Sequence, residues 1–294
     1  MKSQLHIEEF VGDLHVQLAS RSVAPAPGVV TLYWLGQAGF VVDSMYGRFV
    51  IDPYLSDSLA HKYRGTRYPH VRMMPIPIAP EHIAGIDYVL CTHRHTDHMD
   101  PSTLQPMAQA QPNLQFVVPE ASLVEAQKRC GVGLDRLIPA NFGRKLSLHQ
   151  GVNVHVIASA HEELSTDAWG NSEWLGYVLE VDGLRIYHSG DCVPYPGLVQ
   201  QLRELKIDVA LLPVNGRDLD RLGNGVPGNF TLNEAIDIAV EAGIPHLIGH
   251  HHGLFDFSTI APQDIDAQIP IAAQRGLQLI RARTECSFSL ERSD

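Results

Sequence analysis

The sequence predicts an α/β fold, for which two sheets packed face to face with helices on their outer sides are one economical arrangement. Short apolar runs bounded by glycine, proline or aspartate dominate the first part of the chain. Strand and helix patterns alternate from residue 87, and the second half repeats that content. With 294 residues, 45% of them hydrophobic and 19% charged, the chain can build one layered core of ordinary globular composition, read as a single domain over residues 1–294. Pattern and composition alone do not separate this sandwich from other α/β layouts.

Taken in order, residues 4–20 place Leu5, Phe10, Val11, Leu14, Val16 and Leu18 at roughly helical spacing, which predicts an N-terminal helix. After APAPG, the runs TLYWLG, AGFVVDS and GRFVIDP read as strands of a meander. Residues 53–80 hold five prolines and no period, so they are expected to form a long functional loop or lid. DYVLCT is a strand, and Asp100-Pro101 is a helix N-cap and first-turn pair. LQFVVP is a strand, ASLVEAQKRCG a helix closed by Gly131, and RLIPA, KLSLHQ and VNVHVIASA return to strands. Asp182-Gly183 joins two further strands as a hairpin. A helix at 198–206, the strand IDVALLPV, and a Gly/Asn-rich loop over 215–229 follow. Thr231 and Glu234 form a capping box for the next helix, and HLIGHH, a last helix and two strands complete the pattern.

The formal net charge of -11 gives the chain no bulk attraction for nucleic acid or anionic membrane, so the expected partner is a small-molecule substrate, with homo-oligomerisation left open. Cys91, Cys130, Cys192 and Cys286 contain no C-x-x-C pair and form neither a disulfide framework nor a zinc ribbon. The acidic N-terminal stretch does not resemble a signal peptide, and no run reaches the roughly 18 apolar residues of a spanning helix, so a cytoplasmic location is expected.

The chemistry is concentrated in Thr92-His93-Arg94-His95-Thr96-Asp97-His98, directly after an apolar strand. On an extended chain His93 and His95 point to one side and can share a metal, while a turn through Asp97 and His98 offers a carboxylate and an imidazole to a second. A lone histidine in a polar loop is usually structural. Four candidate ligands within six residues reverse that weighting.

This run resembles the H-x-H-x-D-H signature of the metallo-β-lactamase superfamily. The resemblance implies a four-layer αββα sandwich and three further ligands in fixed order, met by His161 in VIASAHEE, Asp191 in YHSGD and a histidine within LIGHHHGLF. It covers about residues 31–256. Carried over, His93, His95 and His161 hold a first ion, Asp97, His98 and His251 a second, and Asp191 bridges them. Among His250, His251 and His252, the family's spacing to the following Gly-x-Phe selects the middle one. The ions are two divalent metals, zinc first and manganese as the alternative, and the reaction implied is hydrolysis by a metal-bound hydroxide with Asp97 as catalytic residue. YHSGD, LLPVNGRD, GNF and HHHGLFDF are similar to the branch containing L-ascorbate-6-phosphate lactonase, which implies a lactone or ester of a small anionic, sugar-like or phosphorylated substrate.

Arg217, Asn229 and His252 are expected to bind that substrate, and Lys62, Arg64 and Arg67 are weighed as an anion-catching lid against a merely solvated charge run. Asp52 is weighed between a site role and an Asp-Pro turn. His188 is expected to be a core histidine and Cys192 an inert thiol. The alternatives are a phosphodiesterase or RNA-processing nuclease of the same superfamily, an iron-dependent oxidoreductase, and a metal-binding scaffold without catalysis.

Overall fold

The computed structural model describes residues 3–10 and 12–292. In chain order the first elements are β1 (Ser3–Glu9), α1 (Leu14–Leu18), β2 (Val29–Gly36), β3 (Gly39–Ser44), β4 (Gly47–Ile51), α2 (Ser58–Lys62), β5 (Tyr88–Leu90), α3 (Pro101–Ala110), β6 (Gln115–Pro119) and α4 (Leu123–Cys130). Strands β7 (Leu137–Ala140), β8 (Lys145–His149), β9 (Val152–Ala158), β10 (Leu175–Val181) and β11 (Leu184–His188) follow. The chain continues with α5 (Leu198–Leu205), β12 (Val209–Pro213), α6 (Leu219–Gly223), α7 (Leu232–Ala242), β13 (His246–His250), α8 (Pro262–Gln274), β14 (Gln278–Arg281) and β15 (Cys286–Arg292).

The strands form two sheets, ordered β1-β15-β2-β3-β4-β5-β6-β7 and β14-β13-β12-β11-β10-β9-β8. Side-chain alternation explains why both faces of each sheet are covered. Val30, Leu32 and Trp34 of β2 point between the sheets with Phe40, Val42, Phe49 and Ile51, and meet Val154, Tyr177, Leu179 and Ile186 of the second sheet. The intervening Leu35, Val41 and Val50 point outward and are covered by Leu14, Leu18, Leu104, Met107 and Ala126 from the α1, α3 and α4 side. Leu202, Ala235, Ile238 and Ile265 from α5, α7 and α8 cover the other outer face. The result is an αββα sandwich. Each fully buried Leu, Val or Phe contributes about 1.5–3 kcal/mol to its cohesion. Among the described residues no helix is long and apolar enough to cross a membrane.

Local signals behave as their chemistry dictates. Asp182 (φ 52) and Gly183 (φ 77) turn β10 into β11. Asp100 accepts from Ser102 N ahead of Pro101, Gly131 ends α4 in the left-handed region, and Thr231 with Glu234 forms a complete capping box. The expected helix over 4–20 is corrected: residues 3–9 are strand β1, and only Leu14–Leu18 are helical. Leu5 is buried between exposed Gln4 and His6 and pairs with Leu290 at the far end of the sequence, so tertiary pairing overrides the local helical spacing. Val11, part of that expected helix, lies outside the described residues. The 53–80 segment is largely irregular, as expected, and carries the short helix α2.

Candidate metal centre

The candidate ligands sit on loops that leave strands of both sheets. Strands β4 and β5 run parallel and end together at Ile51 and Leu90, which delivers Asp52 beside the 92–98 run. β11, β12 and β13 are also mutually parallel, and the loops after β11 and β13 carry Asp191 and His251. Binding groups at the carboxyl ends of parallel strands are a general outcome of such sheets. The 92–98 run is a series of bends rather than extended chain, with His95 O accepting from His98 N at 3.1 Å and Met99 N at 2.8 Å. Those bends, not strand alternation, bring His93 and His95 together.

Three site residues hold a left-handed backbone without being glycine: Gln37 (φ 51), Asp52 (φ 45) and His251 (φ 62). Such conformations cost of order 1–3 kcal/mol each and persist where surrounding contacts enforce them. His251 N, for instance, donates to Gln37 O at 2.9 Å. Gly190 (φ 61) has no room for a side chain, because a Cβ would lie 2.8 Å from both Leu175 O and Thr92 Oγ1. That close approach seats Asp191.

Three donor groups result among the described residues, each with its ligand atoms within 4.8 Å of one another: Asp52, His93 and His98 in the interior, and, nearer the cavity, His93, His95 and Asp191 and then Asp97, His98 and His251. Asp191 Oδ1 lies 3.2 Å from both His98 Nε2 and His251 Nε2, so it stands between the latter two. His161 is in the same wall, its ring centroid 5.0 Å from that of His95, outside the tightest group. His93 Nε2 and both ring nitrogens of His161 are buried without a hydrogen-bond partner, while His98 Nε2 and His251 Nε2 each meet Asp191 Oδ1 across a 3.2 Å contact. Converging imidazole and carboxylate donors left unsatisfied in a buried site are what a borderline divalent cation requires, so the residues fit a metal.

The residues behind these ligands are placed as specifically. Asp52 is fully buried, accepts from Thr92 N (2.7 Å) and Thr92 Oγ1 (2.5 Å), and lies 2.7 Å from His98 Nδ1. This directs His98 Nε2 toward the cluster. The electrostatics follow from burial and crowding. Burial and the neighbouring His98 and His95 hold His93 well below the ordinary imidazole range, and burial takes His161 down to about 4. Burial also opposes charge on His98, yet Asp191, Asp52 and Asp97 outweigh it and hold that imidazole well above its usual range. Burial would raise Asp191, but His98 and His251 hold it well below the carboxylate range.

The cluster opens into a cavity of about 400 Å³ lined by His95, Asp97, His161, Asp191, His251 and Gln37 on the donor side. Tyr63, Tyr68, His70, Phe255 and Phe257 form an aromatic wall, and Lys62, Arg67, Arg94 and Arg129 add cations. The three consecutive histidines diverge because His251 takes its left-handed turn: His251 lines the cavity, His250 packs on His188 and Phe40, and His252 packs on Trp34.

The three residues expected to bind substrate do not line the cavity. Arg217 is held by both carboxylate oxygens of Glu234 (2.6 and 2.7 Å) and does not line the cavity. Asn229 is buried, accepting from Cys192 N at 2.9 Å and donating to Asn215 Oδ1 at 3.1 Å, so it braces the turn after Asp191. His252 is buried against Trp34, away from the cavity lining. Lys62 and Arg67 do reach the cavity, while Arg64 lines a separate groove outside the loop. His188 is a core histidine, its Nδ1 accepting from Gly190 N. Sequence reasoning missed Gln37, whose Nε2 donates to Asp97 Oδ2 at 2.9 Å, and Trp174, whose ring lies 4.7, 4.9 and 4.7 Å from His93, His95 and His161. The sequence's signal for Gln37 was its place in a Gly-flanked turn between two strands.

Residues 47–252 match the beta-lactamase superfamily domain. A UPF0173 metal-dependent hydrolase of Myxococcus xanthus is 26% identical over 257 residues, covering 84% of this chain and 78% of the relative. Among solved structures, a metallo hydrolase from the archaeon Ignicoccus hospitalis superposes with a TM-score of 0.66 at 18% identity, covering 90% of this chain and 100% of that one. An isothiocyanate hydrolase from Delia radicum gut bacteria superposes at 0.68 with 17% identity, covering 87% and 97%. These two likenesses concern the fold alone.

Proposed function

Because the chain belongs to the metallo-β-lactamase superfamily and is a metal-dependent hydrolase within it, we propose that it opens a lactone or cleaves an ester of a small anionic substrate. The observation that carries this reading is the charge of the cavity. Its lining carboxylates are the candidate ligands Asp97 and Asp191, whereas Lys62, Arg67, Arg94 and Arg129 surround the remaining space. Arg67, Arg94 and Arg129 have carboxylate neighbours in Asp220, Glu173 and Glu125. Lys62, with Nζ 5.0 Å from the centre of the Tyr63 ring, has no carboxylate partner among the described residues. A chain of net charge -11 thus presents a locally basic chamber, which favours an anion of small size over a nucleic-acid backbone.

In this reading His93, His95 and His161 would hold one divalent ion and Asp97, His98 and His251 the other, with Asp191 available to both, zinc as first choice and manganese as alternative. Such ions would supply Lewis acidity and a water acidified toward neutral pH. The protein's own part is positional. Lys62 and Arg94 hold the substrate's anionic group, the wall from Tyr63 to Phe257 excludes bulk water, and Asp97 faces the reacting centre as proton carrier to the leaving oxygen.

The test is metal analysis of protein purified without added metal, followed by a panel of sugar lactones, phosphorylated lactones, carboxylic esters and phosphodiesters with zinc or manganese. We expect ester or lactone hydrolysis that a chelator abolishes. Lys62→Ala should raise KM about tenfold with kcat nearly unchanged. Activity confined to phosphodiesters overturns the ester reading.

A further inference from the structure

Gln37 lies in the turn between β2 and β3 and is only 2% exposed. Its place is fixed by its backbone, whose carbonyl accepts from Trp34 Nε1 at 3.0 Å and from His251 N at 2.9 Å. Its side chain reaches into the donor cluster. Nε2 is 2.9 Å from Asp97 Oδ2 and 3.1 Å from His251 Nε2, two residues of the group completed by His98. Gln37 Oε1 is buried without a partner, and the residue lines the cavity.

His251 Nε2 stands between the Gln37 amide at 3.1 Å and Asp191 Oδ1 at 3.2 Å, and with its lone pair toward the amide it can serve Gln37 or a cation but not both. A carboxylate oxygen has capacity to spare, so Asp97 Oδ2 can keep the Gln37 N–H while facing a cation. The amide carries two N–H donors and one acceptor oxygen. Once His251 is taken, one N–H remains on Asp97, and the second N–H and Oε1 are left for a polar partner in the cavity. Leaving such buried groups unmatched costs about 1–3 kcal/mol each, which selects for a ligand that supplies the match.

We propose that Gln37 is a catalytic residue of the hydrolase described above, contacting the substrate through its carboxamide, and that in the metal-free site the same amide competes with the cation for the Asp97–His98–His251 group. The proposal rests on the hydrolase reading for its substrate half, whereas its competition half needs no substrate. It makes the two metal positions unequal, since among the described residues no side-chain amide hydrogen-bonds to His93, His95 or Asp191.

The experiment is a zinc titration of the apo protein against a chromophoric chelator, with wild type, Gln37→Met and Gln37→Asn. Methionine keeps the length without hydrogen bonding. Asparagine tolerates the left-handed backbone but is one methylene too short to reach His251. We expect the weaker zinc equivalent to bind roughly threefold to tenfold more tightly in either variant, the equivalent of one lost net hydrogen bond. On any ester that wild type turns over, kcat/KM of the fully loaded Gln37→Met protein should fall roughly 10- to 100-fold. A merely structural glutamine would instead lose zinc affinity and activity together. Unchanged or weakened zinc binding in both variants overturns the proposal, as does undiminished turnover by the loaded variant. Should Gln37→Met fail to fold by circular dichroism, Gln37→Asn reads the same titration. A wild type idle on every ester overturns the hydrolase reading, and with it the substrate half, while the titration still decides the competition.

Discussion

Replacing Asp52 by asparagine asks whether one buried carboxylate sets the chemistry of His98. Asp52 Oδ1 accepts from Thr92 N, while Oδ2 accepts from Thr92 Oγ1 and lies 2.7 Å from His98 Nδ1. Held there, Nδ1 keeps its proton, so Nε2 is the nitrogen that must deprotonate to bind a cation beside Asp191. Asparagine preserves volume and tolerates the backbone at φ 45. It keeps one oxygen for Thr92 N but turns an amino group toward His98 Nδ1, which must then accept, moving the ring proton to Nε2. Thr92 Oγ1 can rotate from donor to acceptor. The cost to folding is therefore the difference between charge-assisted and neutral hydrogen bonds at two contacts, roughly 2 kcal/mol in all. The cost to zinc is larger in proportion, about 10- to 100-fold in affinity, because the wrong tautomer faces the metal. Urea denaturation of the apo protein and a chelator competition in the same buffer measure both. Unaltered zinc affinity alongside the stability loss would refute the tautomer argument and leave Asp52 a brace for Thr92 alone.

The other predictions concern residues around that centre. Arg217→Ala should leave KM unchanged and lower Tm by about 2–4 °C, as expected for roughly 1 kcal/mol from a half-exposed pair with Glu234 and one backbone contact; a raised KM at unchanged Tm would return Arg217 to the substrate. Gly190→Ala forces a Cβ to within 2.8 Å of Leu175 O at φ 61, so we expect a loss above about 2 kcal/mol in chemical denaturation together with weakened zinc binding. Burial pushes the thiols of Cys130 up to about 12 and Cys192 up to about 11, and raises Cys91 and Cys286. Because a raised pKa keeps a thiol protonated below it, Ellman's reagent at pH 8 should find no fast-reacting thiol in the native protein and four after denaturation.

The 92–98 run was legible because its ligands are contiguous and follow an apolar strand. Their pairing with Asp191 and His251 was legible only through family resemblance, since nothing local to YHSGD or HHHGLF says which strand ends converge. Local pattern failed where a partner is remote. Leu5 reads as helical until Leu290 is known to lie beside it, and Arg217 reads as an anion site until Glu234 is seen to hold it while also capping α7. Gln37 was invisible for a different reason. A single glutamine between glycines carries no periodicity, and its meaning comes from a left-handed turn that points it at Asp97.

The position of β15 in the first sheet has a consequence for biosynthesis. It is the strand between β1 and β2, pairing along Ser3–Glu9 on one side and Val29–Tyr33 on the other. Until Cys286–Arg292 emerges from the ribosome, β2 carries an open hydrogen-bonding edge, and Val30 and Leu32 lack the cover of Phe288 and Leu290. Strands β1 and β2 therefore lack the partner they share until the seven residues Cys286–Arg292 are in place. Deleting Cys286–Arg292 would remove an interior strand of the first sheet, and until that seam closes the unpaired edge of β2 is exposed to association with other chains.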